Sequence, residues 1–399
     1  RGAGSDYAAD ASVRDFVARH AGDHAADVLV DAVMAGIYSG DVTALSARAT
    51  LRAAWDAERR SGSLLRDGLT RAFARLRATD DQQAGSSVKP QSAFVRAAAA
   101  APSVSFVDGM STLPRALVAA AVAHGATMAT GVPAVALRRV QHGGGVVVQL
   151  PPTLPLPSAV ASHPAYDAAT RCLRADAVIA AVPPAPLARL VSDAAPGAAA
   201  AATRIPTASL AIACLGYADR GGGVERALSS RFGAAIGAAG GFGYLQPSAD
   251  RRAAGAGHGI LGAVWDSAVF PGQARTRTGA PPGVADCDTR VSVMMGGAVS
   301  PHVVAPTVSD DAVAVAGLRA AVDHLGLPAT PDVAYVVRAP AAIPQYVVGH
   351  VDVVASLRTA AAATFGPTLA LCGNGYDGVG VADCIAHGAA AARAVAAVL

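Results

Sequence analysis

The chain has 399 residues, 52% of them hydrophobic and 15% charged, and this length is enough for two or three domains with buried cores. The low charged fraction excludes a disordered chain, and a net charge of +3 gives no basic footprint for nucleic acid. Five cysteines are too few for a disulfide scaffold and no pair has zinc-site spacing, so we expect no metal site. No apolar run reaches the ~18 residues of a membrane-spanning helix.

Helical periodicity dominates the first part of the sequence. Apolar residues at helical spacing predict one helix that begins after a cap at Asp10 and another that ends at the turn 39–41. A third helix is predicted over 46–60. The polar stretch 77–90 contains Gly and Pro and is predicted to be a loop.

Apolar strands separated by turn residues dominate the middle of the sequence. The predicted strands are 132–137, 145–150, 175–182, 209–217, 242–246, 259–265, 290–295 and 333–337. Helices are predicted over 113–123 and 311–325. The pattern predicts a mixed α and β fold, with a multi-stranded, largely antiparallel sheet and an attached helix.

A glycine-rich turn, Gly373-Asn-Gly375-Tyr-Asp-Gly378, follows a predicted strand over 368–372 and precedes a predicted helix over 381–399. It matches G-x-G-x-x-G, but the further strand with an acidic end that a dinucleotide-binding unit needs does not follow it in this sequence. Two interpretations stay open. The glycines and the helix N-terminus hold a cofactor, with Asp383 as a capping group, or the turn only permits tight strand–helix packing.

Residues 375–388, Gly-Tyr-Asp-Gly-Val-Gly-Val-Ala-Asp-Cys-Ile-Ala-His-Gly, resemble the C-terminal FAD signature of the protoporphyrinogen oxidase family, within the flavin amine-oxidase superfamily. Further blocks resemble the family in the same order: 36–46, 58–65, 108–114, 241–248, 261–271, 291–297 and 343–350. The resemblance implies an FAD enzyme that removes six electrons from protoporphyrinogen IX to give protoporphyrin IX. Molecular oxygen then reoxidises the flavin and hydrogen peroxide is released.

The resemblance also implies the residues of the site. The substrate pocket would be lined by Phe242, Gly243, Leu245, Val264, Met294 and Ile343. The FAD contacts would be Val135, Gly378, Val379, Gly380 and Val381. The alternative for the first set is that alternate residues of a half-buried sheet are apolar anyway. No catalytic side chain is expected, because the flavin carries the chemistry, and His350 and His387 are interpreted as packing or hydrogen-bonding residues.

The family pattern implies three domains: a helical membrane-docking and substrate-entrance domain (1–100), an FAD-binding Rossmann-like domain (101–190 with 341–399) and an antiparallel substrate-binding sheet (191–340). The family's opening strand and glycine turn, and a later arginine that meets a substrate propionate, have no counterpart in the sequence. We therefore expect an N-terminally incomplete chain whose FAD-binding domain lacks its first βαβ part.

The implied location is peripheral, on the mitochondrial inner membrane, with a plastid or bacterial membrane as alternatives, and the family suggests a homodimer. Two other functions stay open. The chain could be another flavin amine-oxidase relative that acts on amines or carotenoids, or a non-catalytic remnant that binds porphyrin.

Overall fold

The structure is a computed structural model that describes residues 10–62, 104–140, 144–218, 242–253, 259–270, 273, 287 and 289–399. The α-helices are α1 (Val13–Ala21), α2 (Asp31–Tyr38), α3 (Ala47–Thr50), α4 (Arg52–Ser61), α5 (Thr112–Ala123), α6 (Ser158–Ala161), α7 (Pro184–Val191), α8 (Pro196–Thr203), α9 (Ser248–Ala253), α10 (Asp266–Val269), α11 (Asp310–Leu325), α12 (His350–Phe365) and α13 (Val381–Ala396). A π-helical segment, Ala25–Val30, runs directly into α2.

The strands are β1 (Ala136–Arg139), β2 (Val146–Gln149), β3 (Tyr166–Asp167), β4 (Cys172–Ala175), β5 (Val178–Ala180), β6 (Thr207–Tyr217), β7 (Gly243–Leu245), β8 (Ile260–Val264), β9 (Thr289–Gly296), β10 (Val333–Pro344) and β11 (Leu369–Leu371). They form a four-stranded sheet in the order β1-β2-β4-β3, a five-stranded sheet in the order β10-β6-β9-β8-β7, and the pair β11-β5.

The five-stranded sheet is antiparallel throughout and buries one face. Odd-numbered residues from Ala211 to Tyr217 of β6 and from Val291 to Met295 of β9 are buried on the side of α11, because side chains alternate along a strand. Gly317 allows α11 to approach closely, since a Cβ at this position would lie 2.4 Å from the Cβ of Ala213. The opposite face, here called the open face, carries half-buried side chains: Ile212, Cys214, Val264, Ser292 and Met294.

The second core surrounds the only parallel strand pair among the described strands. β5 and β11 pair through Val178 with Leu369 and Ala180 with Leu371. Residues of α7, α8 and α12, including Leu187 and Leu357, bury the pair. α13 begins ten residues after β11 ends, so a loop of 372–380 lies at the end of this strand.

The N-terminal helices pack directly against the segment that joins β10 to α12. Val13, Met34 and Leu45 form a buried cluster with Tyr346. The Asp10 carboxylate accepts hydrogen bonds from the Ser46 hydroxyl at 2.8 Å and from the Gly349 backbone N–H at 2.8 Å. The contact of Asp10 with Gly349 joins residues that are 339 positions apart in the sequence.

Two helical predictions are wrong in detail. Ser12 rather than Asp10 caps α1, and its hydroxyl oxygen accepts a hydrogen bond from the Asp15 backbone N–H at 3.0 Å. The predicted helix 46–60 is divided into α3 and α4, because Leu51 has φ −111° and ψ 38°, outside the α-helical region.

The predicted strand 175–182 is also divided. Its first residue, Ala175, ends β4 and pairs with β2, whereas Val178 begins β5 and pairs with β11. The apolar run continues on both sides of Asp176, so hydropathy alone does not reveal the change of sheet. The predicted strand 132–137 lies slightly later, as β1.

The predicted loop 77–90, and residues 63–65, 241 and 271 of the family blocks, lie outside the described residues. Within the described ranges, no helix combines the length and the apolar character needed to cross a bilayer. The same ranges contain no group of His, Cys, Asp or Glu side chains arranged to hold a metal ion.

Candidate functional site

The glycine loop, defined here as residues 373–380, ends in a tightly folded helix start. Gly380 is the N-cap of α13, and its backbone N–H donates to the Asp383 carboxylate at 3.3 Å. A Cβ at Gly378 would lie 2.5 Å from that carboxylate. Glycine at 378 therefore leaves the space into which Asp383 folds back.

Three buried rings hold the first half of the glycine loop. The Tyr346 hydroxyl donates to the Asn374 carbonyl at 2.7 Å. The Tyr346 ring stacks on His350 with centroids 3.9 Å apart, and His350 Nε2 lies 3.1 Å from the Tyr376 carbonyl. The Tyr376 hydroxyl in turn donates to the Val182 carbonyl at 3.0 Å, next to β5. Side chains thus fix the loop through its own backbone groups.

Burial sets the protonation of these rings. It raises the pKa of Tyr346 and of Tyr376 above the ordinary tyrosine value, so both hydroxyls stay protonated donors at neutral pH. Burial also lowers the pKa of His350, so its imidazole is neutral. Because Nε2 faces a carbonyl oxygen, we assign the proton to this nitrogen.

An ion pair joins the glycine loop to α12. Arg358 of α12 donates to the Asp377 carboxylate through both terminal nitrogens, with Nη1 at 2.9 Å from one oxygen. Burial raises the pKa of Asp377, but the hydrogen bonds and charge of Arg358 outweigh burial and hold this pKa below its usual value. His387 of α13 adds a further favourable charge interaction with Asp377. Its Nδ1 is buried without a hydrogen-bond partner among the described residues.

The predicted flavin residues lie in two places. Gly378 is buried and Val379 packs against the N-terminal helical cluster, whereas Gly380 and Val381 are exposed. Val135 precedes β1 in the four-stranded sheet, and its backbone N–H donates to the Gln149 carbonyl at 2.9 Å.

The start of α13 fits a flat, partly anionic heterocycle. Val381 and Ile385, one turn apart, are 53% and 52% exposed, so an apolar strip lies beside the unpaired N–H groups of the helix start. The exposed Gly380 brings the backbone to the surface at the same point. The chain's own residues therefore suit the isoalloxazine of a flavin.

Four of the predicted substrate residues are neighbours on the open face. Gly243 pairs with Val264 across β7 and β8, and Leu245 pairs with Gly262 in the next row. Gly262 in turn pairs with Met294 of β9. Phe242 precedes β7 and is 52% exposed.

Ile343 lies on the same face but at a distance from the other predicted substrate residues. It pairs with Ala208 of β6, four residues before Ile212, which pairs with Met294. Cross-strand partners share a face, so the open face extends from Met294 to Ile343. Ile343 is also only three residues before Tyr346, the residue that holds the glycine loop.

Sequence reasoning did not identify the side chains that support the glycine loop. Tyr346 lies within a family block, but its partner Asn374 is 28 residues away and no spacing rule connects them. Arg358 and Asp377 are likewise joined only by the fold. His350 is packed and hydrogen-bonded, which confirms the interpretation made from the sequence.

A protein-family model described as flavin containing amine oxidoreductase matches residues 3–396. The protoporphyrinogen oxidases of Macaca fascicularis and Homo sapiens are each 30% identical to the chain over 390 residues, which is 97% of this chain and 69% of theirs. These sequence matches confirm the predicted family and its FAD cofactor.

Solved structures agree in fold. A candidate protoporphyrinogen oxidase from Exiguobacterium matches 98% of this chain and 67% of its own, with TM-score 0.64 and 20% identity. A putrescine oxidase variant with redesigned cofactor binding matches 97% of this chain and 68% of its own, with TM-score 0.51 and 13% identity. They confirm the predicted mixed α/β class. The chain therefore belongs to the flavin containing amine oxidoreductase family, as an FAD-dependent oxidase.

Proposed function

We propose that the chain oxidises protoporphyrinogen IX to protoporphyrin IX, with FAD as the electron acceptor and molecular oxygen as the final oxidant, in haem and tetrapyrrole biosynthesis. The observation that carries the proposal is the convergence of Gly243, Leu245, Val264 and Met294 on one open sheet face. The names of the curated relatives, which align with 97% of the chain, support the same substrate.

The open face suits a flat, largely apolar macrocycle. The Leu245 side chain lies over Gly262, since its Cδ2 would be 3.1 Å from a Cβ at that position. Val264 and Leu245 therefore offer apolar side chains on which a planar ring could lie. Met294 supplies an adaptable apolar contact at the next strand, and the exposed Phe242 ring supplies an aromatic one.

The flavin contacts that we propose divide between the two places described above. The N–H groups at the start of α13, with Gly378, Val379, Gly380 and Val381, would face the isoalloxazine. The Val135 N–H is already bonded to Gln149, so a contact of Val135 with adenine would use its carbonyl, which accepts from an amino group. Bound FAD supplies the two-electron acceptor chemistry.

No side chain of the described site is proposed as an acid or base. His350 is 3% exposed, stacked and bonded to a carbonyl, so it holds its proton in place rather than transferring it. The chain's contribution is to bind and orient the substrate and to exclude water from the open face.

We also propose the three-domain division expected from the family, with residues 1–100 docking on a membrane. Leu29, Val33 and Ile37, spaced four residues apart, are 63%, 47% and 53% exposed, which supports an apolar docking stripe. The proposed location is the mitochondrial inner membrane, and a second copy of the chain is a proposed partner.

The test starts with the chain loaded with FAD and desalted. Flavin absorbance is measured first, and the formation of fluorescent protoporphyrin from protoporphyrinogen IX is then followed against a blank without protein. Putrescine serves as the amine control. We expect retained flavin, oxygen-dependent porphyrin formation and hydrogen peroxide release. Turnover of putrescine but not of the porphyrinogen would contradict the proposal in favour of an amine oxidase. Porphyrin binding by a flavin-loaded chain without oxidation would instead indicate a binding remnant.

A further inference from the structure

A polar cavity lies at the end of the open face remote from Ile343. Its volume is about 160 Å³, and its polar lining residues include Arg290, Asp266, Ser292, Gln273 and Tyr335. Arg290, Ser292 and Met294 alternate along β9, so all three are on the open face. The cavity therefore continues the surface on which the predicted substrate residues lie.

Arg290 is a half-buried guanidinium without an ion pair among the described residues. Its Nε is buried and has no hydrogen-bond partner, and its Nη2 makes one long contact, 3.5 Å to the Phe270 carbonyl. By contrast, Arg14, Arg338 and Arg358 each contact a carboxylate. A half-buried guanidinium that makes no ion pair with the described residues is unfavourable, which points to an anionic ligand.

The other polar groups of the cavity are already engaged. The Asp266 carboxylate accepts from the Ser292 hydroxyl at 2.7 Å. The Gln273 amide donates to the Ser105 hydroxyl at 2.7 Å and to the Phe106 carbonyl at 2.8 Å. The Arg290 backbone N–H is held by the Ser267 hydroxyl at 3.1 Å, which fixes the residue but leaves its side chain available.

The position of Arg290 matches a ligand with an apolar body and an anionic edge. Four residues of extended strand separate Arg290 from Met294, a distance of about 13 Å. The two terminal nitrogens, Nη1 and Nη2, form the outer edge of the guanidinium, and this edge can bind a carboxylate through two parallel hydrogen bonds. The opposite end of the open face leads through Ile343 to the glycine loop.

We propose that Arg290 binds a carboxylate of the substrate and thereby orients the macrocycle. The carboxylate edge of the macrocycle is then directed away from the glycine loop. This inference rests on the proposed function, because protoporphyrinogen IX carries two propionates on one side of an apolar ring. Arg290 is then a substrate-binding residue that the family blocks did not indicate.

The experiment compares binding of protoporphyrin IX with binding of its neutral dimethyl ester, by porphyrin fluorescence at low ionic strength. We expect the full chain to bind the dicarboxylate at least tenfold more tightly than the diester. Arg290→Gln should weaken dicarboxylate binding by about 10-fold to 100-fold and leave diester binding unchanged. Arg290→Lys should retain part of the preference. Arg319→Gln, on α11 behind the buried face, is the control with the same charge change.

The outcomes separate this inference from the proposed function. If Arg290→Gln binds the dicarboxylate as tightly as the parent chain while Phe242→Ala weakens both ligands, the inference is overturned and the proposed function stands. If the parent chain binds neither ligand, both are overturned. Circular dichroism checks folding. If Arg290→Gln does not fold, the comparison uses the parent chain and Arg290→Lys. An equal preference of these two proteins for the dicarboxylate over the diester contradicts the inference.

Discussion

Different kinds of interaction hold the glycine loop and the open face. The glycine loop is held by side chains distant in sequence, Tyr346 and His350, which bond to its backbone carbonyls. The open face is held by the regular antiparallel pairing of β9 with β6 and with β8. We therefore expect the proposed cofactor site to depend on backbone position, and the proposed substrate site to depend on side-chain identity.

This difference predicts how the two regions respond to substitution. Changes near the glycine loop should alter flavin binding even where the replaced side chain never touches flavin. A change at the exposed Phe242 beside the open face should alter ligand binding with little effect on stability, since substitutions of exposed side chains usually cost less than about 0.5 kcal/mol.

The largest effect is expected from Gly378→Ala. The new Cβ would lie 2.5 Å from the Asp383 carboxylate and would displace the cap of α13. Overpacking of about 1–3 kcal/mol corresponds to FAD binding weakened by roughly 5-fold to 150-fold. The affinity for FAD is measured by titration and by the amount of flavin retained after desalting.

Gly388→Ala is the matched control in the same helix, because nothing lies within 4 Å of its Cβ position. It should leave FAD binding unchanged and raise stability by about 0.8–1 kcal/mol. Equal flavin retention by the two alanine variants would contradict the role given to Gly378.

A smaller effect on the same region is expected from Tyr346→Phe. The ring and its stacking on His350 remain, but the bond to the Asn374 carbonyl is lost. We expect a loss of about 1–1.5 kcal/mol, seen as FAD binding weakened up to tenfold and a changed flavin absorption spectrum.

Tyr217→Phe tests whether this effect is local. The Tyr217 hydroxyl donates to the Pro328 carbonyl at 3.1 Å, and burial raises its pKa to about 12, but Tyr217 lies on the α11 side of the sheet. A similar loss of stability with normal flavin binding is expected. If both Tyr346→Phe and Tyr217→Phe weakened flavin binding, the effect would not be specific to the glycine loop.

On the open face, Phe242→Ala should weaken protoporphyrin binding about fivefold, because a ring that is 52% exposed loses the part of its area that a ligand would cover. Thermal unfolding should stay nearly unchanged. Val315→Ala, at an exposed position of α11, should change neither quantity. A large fall in melting temperature for Phe242→Ala would show that this residue is structural instead.

The smallest effect concerns pH. Burial lowers the pKa of His350 below its ordinary value of 6.5, so the unfolded chain takes up a proton near pH 6.5 that the folded chain does not. Stability is then lost as the pH falls from 7.5 to 5.5. His350→Gln should reduce that loss in urea unfolding. An identical pH dependence in the His350 variant and the parent chain would contradict this assignment.

The sequence predicts the elements of the two regions unequally well. Strands β6 to β9 are predicted to within about two residues, because alternating apolar residues and turn residues mark them directly. The division of 175–182 between two sheets is not predicted, since both halves are equally apolar. The support of the glycine loop is not predicted either, because the pairing of Tyr346 with Asn374 exists only in the folded chain. Arg290 carries no sequence signal beyond its place beside a family block.

The contact of Asp10 with Gly349 bears on the order in which the chain assembles. Its partners are 339 residues apart, and the Gln345 side chain reaches the Tyr38 carbonyl across 307 residues. Contacts of such sequence separation form late, because they require the closure of a very long loop. At about 5–20 residues per second, ribosomal synthesis exposes the first helices well before residues 345–350 emerge. The glycine loop is therefore completed only after most of the chain has been made, so we expect flavin binding at the proposed site to follow the synthesis of these residues.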